Sequence, residues 1–97
     1  MRKYEIMYIL RPDLDEEQEN ATKENAKQIL TDNGAEIREV ESMGKRRLAY
    51  EIKGYHNGVY VVLYVNAGEE AINEFDRRVK INDDIIRFMV IRDERED

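Results

Sequence analysis

Three adjacent cations, Lys45-Arg46-Arg47, are the residues of this chain best suited to a chemical task. They complement no helix terminus and gain nothing from mutual repulsion, whereas the planar arginine fork matches two phosphate oxygens at once. A run of this kind points to contact with a phosphate backbone. Arg2, Lys3, Arg87 and Arg92 are candidates to extend it, because the element order makes the first and last strands of the sheet neighbours. Candidates for catalysis are poorer. His56 is the only imidazole, with no serine, cysteine or second histidine nearby in sequence to make a relay or a metal site. Asp13, Asp15, Glu16 and Glu17 lack calcium-loop spacing and suit the positive start of a helix.

Arg11 follows the first strand, a place where a glycine-rich turn and an arginine can hold an anion. Here the turn reads Arg11-Pro12-Asp13-Leu14-Asp15: it has no glycine, loses one N–H at Pro12 and adds two carboxylates that repel phosphate. The residues therefore offer no catalytic group, no metal ligand set, no cofactor and no small-molecule substrate. Tyr60 and Tyr64 share a strand face, where aromatic side chains can stack on bases, but the glycine and aromatic spacing of RNA-recognition modules is missing. Packing, or a protein laid over the sheet, accounts for them better.

The elements that must position these residues follow from periodicity. Tyr4, Ile6, Tyr8 and Leu10 alternate with Glu5, Met7 and Ile9, which predicts a central strand ended by Pro12. Asp15 with Gln18 three residues on makes a capping box for a helix over about 15–33, stopped at Asn33-Gly34. Its apolar stripe is thin: Leu14, Ala21, Ala26, Ile29 and Leu30. A bulged or bent strand is expected from Ala35 to Lys53, because Ile37 and Val40 are out of phase and Gly44 interrupts. Tyr55-His56-Asn57-Gly58 reads as the hairpin turn and Val59–Val65 as the third strand. Ile72, Phe75 and Val79 mark a second helix with Arg77, Arg78 and Lys80 at its negative end. The last strand is Ile85–Arg92, with Ile86, Phe88 and Val90 on one face. The order βαββαβ implies an α+β, ferredoxin-like split βαβ fold, a four-stranded antiparallel sheet with two helices on one face. The expected organisation is one domain over residues 1–92 and a short acidic tail over 93–97.

Charge is segregated along the chain. Its net value of -6 argues against binding nucleic acid by bulk attraction, yet residues 43–56 and 77–92 are each net positive, while residues 12–24 carry six acids against Lys23. The absence of cysteine suits a reducing compartment, and the N-terminus runs straight into strand-like sequence without a signal-peptide or membrane pattern. A cytoplasmic protein is expected.

Three stretches then carry a family likeness: Met1-Arg2-Lys3-Tyr4-Glu5, Gly44-Lys45-Arg46-Arg47-Leu48-Ala49-Tyr50-Glu51-Ile52, and Asn82-Asp83 leading into Ile86-Arg87-Phe88-Met89-Val90. Over essentially its whole length the chain resembles bacterial small-subunit ribosomal protein six. That resemblance implies a non-enzymatic protein of the ribosomal platform that binds the central domain of 16S ribosomal RNA together with small-subunit protein eighteen. It favours Arg2, Lys3, Lys45, Arg46, Arg47 and Arg87 toward RNA, and the hairpin carrying Tyr50, Ile52 and Tyr60 toward the partner. Glu51 departs from the family pattern, which often has a ladder-blocking proline there. The competing class is a metabolite-sensing ferredoxin-like regulatory module, which calls for a homodimer and a bound small molecule.

Overall fold

The computed structural model describes residues 1–93. The alternation of Tyr4, Ile6, Tyr8 and Leu10 becomes β1 (Arg2–Leu10), with all four side chains buried. Asp15 caps α1 (Glu16–Asp32), its carboxylate accepting from the Gln18 N–H at 2.8 Å, and Glu16, Glu17 and Glu19 occupy the positive first turn. The helix ends where Gly34, at φ +87°, takes the left-handed conformation that a side chain disfavours. The Ala35 N–H then closes on the Leu30 carbonyl at 3.0 Å.

The strands β2 (Glu36–Ile52), β3 (Tyr55–Ala67) and β4 (Ile85–Asp93) complete an antiparallel sheet in the order β2-β3-β1-β4, with α2 (Glu69–Lys80) between β3 and β4. Both helices cover one sheet face. There Ala26, Ile29 and Leu30 of α1 and Ala71, Phe75 and Val79 of α2 meet Val59, Val61, Leu63 and Val65 of β3. Phe75 and Phe88 lie edge to face, 6.2 Å between centroids. The fold is the ferredoxin-like α+β arrangement, and the opposite sheet face is left without helices.

Four local expectations change. The hairpin turn is Lys53-Gly54, not Tyr55-His56-Asn57-Gly58: both turn residues have positive φ, +50° and +87°, between the pair Ile52 and Tyr55. Asn57 and Gly58 lie within β3, opposite Arg47 and Arg46, so β3 begins four residues before Val59. Ala21 faces solvent and Thr22 takes the inward place, its one hydroxyl proton shared between the Gln18 carbonyl and the Asp84 carboxylate. In β4 a register shift between Ile9 and Leu10 puts Ile85 into the helix-side core and turns Ile86 to the other face, out of phase with Phe88 and Val90. The acidic stretch expected from Asp93 starts inside β4, and residues 94–97 lie outside the described residues.

Candidate functional site

Cross-strand partners share a sheet face, so the ladders place every candidate side chain. Arg46 stands opposite Gly58 on the bare face, and Arg87 stands opposite Ile9 on the same face. Lys45 and Arg47, opposite Val59 and Asn57, point to the helix side of the projecting hairpin. All of these lie toward one end of the sheet. Arg2, Lys3 and Arg92 lie at the other: Lys3 is opposite Asp93, Arg92 is opposite Tyr4, and Arg2 and Arg92 face the helix side. Arg87 is five residues from Arg92 along β4, about 17 Å at a strand's rise. The expected approach of Arg2, Lys3, Arg87 and Arg92 is therefore realised in part: antiparallel pairing of β1 with β4 brings Arg2, Lys3 and Arg92 to one end and leaves Arg87 toward the other.

The three partner candidates do come together. β2 loses its ladder between Arg47 and Ile52, and the freed segment bends over the bare face, where Leu48 packs with Ile9 and Ile86 in a second small core. Gly58 permits this closeness, since a Cβ there would lie 2.3 Å from Ile9 Cγ2. Glu51 sits in this irregular stretch, outside the ladder. The bend lets Tyr50 reach Arg87 two strands beyond β3, with the guanidinium 5.7 Å from the ring centroid and donating to the phenol oxygen. The result is a groove of about 180 Å³ in which Tyr50, Ile52 and Tyr60 face Met7, Leu48 and Met89. Tyr50 and Met89 are exposed.

Sequence reasoning missed Met7, Leu48 and Met89. Their signal was the apolar alternation on the second face of β1 and β4, which only matters once that face is known to carry no helix. The far end of the bare face has the opposite character. Tyr64 donates to Glu41 at 3.2 Å, and burial first, then Glu41, Glu5 and Glu39 raise its pKa. A basic end, an apolar middle and an acidic end thus follow one another across this surface.

The residues considered for catalysis are tied up or scattered. Arg11 Nε donates to Asp84 at 3.1 Å while its Nη1 lies 3.5 Å from Asp13, and hydrogen bonds to Tyr55 and Asp84 raise its pKa. It fastens the turn after β1 to the turn before β4. His56 is exposed at the start of β3, 3.8 Å from Glu51. Among the described residues no three His, Asp or Glu side chains gather as a metal ion requires, and no helix is long and apolar enough to cross a membrane.

The structure defines the class as a ferredoxin-like α+β domain whose bare sheet face carries an apolar groove that Arg87 also lines. Residues 3–92 match the family model described as Ribosomal protein S6. The chain is 55% identical over 95 residues to the small ribosomal subunit protein bS6 of Shouchella clausii (strain KSM-K16), covering 98% of this chain and all of that protein. The crystal structure of 30S ribosomal protein S6 from Thermotoga maritima superposes with a TM-score of 0.91 at 33% identity, over 95% of this chain and 87% of that one. The chain belongs to the ribosomal protein S6 family (bS6), a non-enzymatic family of structural constituents of the small ribosomal subunit.

Proposed function

We propose that this protein binds the central domain of 16S ribosomal RNA cooperatively with small-subunit ribosomal protein eighteen. The observation that carries the proposal is the groove in which Arg87 meets Tyr50, Ile52 and Tyr60 on the bare sheet face, with Arg46 on that face toward the same end of the sheet. Arginines give phosphate contact, and the apolar groove beside them gives a protein partner something to bury. Net charge of -6 keeps RNA binding weak for the chain alone, so a basic partner must contribute much of the attraction. Arg87 belongs to both surfaces through Tyr50, which supplies a route for coupling between them. Arg2, Lys3 and Arg92 form a separate candidate contact at the far end of the sheet, while Lys45 and Arg47 extend the hairpin's reach on its helix side.

The test is a titration of a central-domain fragment, with protein fifteen prebound, by this protein alone, by protein eighteen alone and by both, at several salt concentrations. Tight, salt-sensitive binding with both, weakened in an R46A/R47A double variant, is the expected result. No gain from the pair would overturn the proposal and return attention to a ligand-binding homodimer.

A further inference from the structure

The two basic stretches, residues 43–56 and 77–92, meet at a place that Arg87 alone among the candidates marks. A cavity of about 220 Å³ opens between the hairpin tip, the end of α2 and the start of β4. Lys53, Lys80 and Arg87 line it together with Val79, Ile85, Ile86 and Phe88, and the Arg87 guanidinium at its rim reaches Tyr50 on the bare face. Among the described residues no carboxylate lines it, in a chain with 22 acids and 16 cations. Each cation comes from a different element, so only the tertiary fold assembles the three. Lys80 shares one contact with Asp76 at 2.8 Å, but an ammonium has three donors. The carbonyl of Val79, at the negative end of α2, already accepts from the Asn82 N–H at 3.1 Å. Apolar lining beside the cations strengthens their attraction for an anion, because it replaces part of the screening water.

We propose that this cavity is a phosphate-binding pocket whose occupant is a backbone phosphodiester of the RNA that the protein binds. The inference rests on the proposed RNA-binding function and gives it a location. A continuous strand favours this pocket over a free anion for two reasons. Lys80 is exposed, so a lone anion held there would remain largely hydrated. The cavity also adjoins the Tyr50 groove through Arg87, which lines both, so a chain carrying successive phosphates can reach the pocket and the groove together. A protein seated in the groove against Tyr50 would at the same time fix Arg87 as a wall of the pocket.

The experiment compares the full chain with Lys53→Asn, Lys80→Gln and the double variant in the same RNA titration with protein eighteen. Asparagine tolerates the positive φ of Lys53, so the turn is kept while the charge is removed. Each cation withdrawn from a phosphate should reduce the magnitude of the slope of log K against log salt by about 0.7–0.9, and the double variant should bind about tenfold or more weakly at low salt. An unchanged slope in both single variants would overturn the pocket. Lys80→Gln on the helix surface keeps the test decisive should the turn variant fold poorly. NMR titration with inorganic phosphate separates the sources: tight saturation of the Lys53 and Arg87 amides, with the RNA slope unchanged, would make the site one for free anions and overturn the RNA assignment. Failure of the unmodified chain to bind RNA with its partner would overturn the broader function as well, and is distinguished by needing no variant.

Discussion

Two residues show how much one side chain can decide here. The Tyr8 hydroxyl is buried with no hydrogen-bond partner in the described protein, and burial first, then Glu24 and Glu19, push its pKa far upward. The folded state therefore holds the neutral phenol, whereas the unfolded chain ionises near the ordinary value of about 10. Tyr8 thus costs nothing extra below that pH and lowers stability as pH rises beyond it. Urea midpoints measured from pH 8 to 11 should fall more steeply above pH 10 for the native chain than for Tyr8→Phe. At neutral pH the Phe variant should match or exceed native stability by about 1 kcal/mol, since it removes an unsatisfied polar atom. Gly58 is the second case: its added methyl would strike Ile9, which is itself wedged beside Leu48 and Ile86. Gly58→Ala should cost about 1–3 kcal/mol in a denaturant titration, the range of an overpacked core.

At the scale of elements, α1 is the weakly held one. Its buried residues are Thr22, Ala26, Ile29 and Leu30, so its N-terminal half depends on Thr22 rather than on large apolar groups. Asp84 receives both the Thr22 hydroxyl at 3.1 Å and Arg11 Nε at 3.1 Å, joining α1 to the turns that flank β1 and β4. Asp84→Ala should destabilise the chain by about 1–3 kcal/mol and raise hydrogen exchange first in the opening turns of α1. Equal loss of protection along the whole helix would show that the tie does not act locally. The bends in β2 and β4 are likewise element-level decisions. Without the break after Arg47, Tyr50 would not reach Arg87, and without the shift at Ile86 the second small core would lose a member.

Over the whole molecule, a net negative chain presents cations at one end of its bare face and Glu5, Glu39 and Glu41 around Tyr64 at the other. Such a dipolar surface orients a charged partner as well as attracting it. Met89 lies exposed in the groove between these ends, so Met89→Glu should leave stability within about 0.5 kcal/mol. The same variant should remove the gain in RNA binding that protein eighteen provides, when measured by the paired titration. An undiminished gain would place the partner elsewhere.

The strands, helices, caps and the ferredoxin-like order were legible in the sequence because each rests on local periodicity and on residues with strong backbone preferences, such as Asp15 and Gly34. The run Lys45-Arg46-Arg47 was equally plain, and so was the hairpin as a region holding Tyr50, Ile52 and Tyr60. The turn was misplaced because Asn57-Gly58 satisfies the same positive-φ preference as Lys53-Gly54. What selects between them is the space that Ile9 and Leu48 need above Gly58, a contact between distant strands. Ile86 was assigned to the wrong face for a related reason, since a bulge shifts alternation by one residue and leaves no mark in composition. Which cations share a surface was also beyond the sequence. Antiparallel pairing separates Arg87 from Arg2 and Lys3, the length of β4 separates it from Arg92, and the packing of hairpin, helix end and last strand brings it beside Lys53 and Lys80. Local chemistry set what each element is, and the pairing of elements far apart in the chain set which side chains can act together.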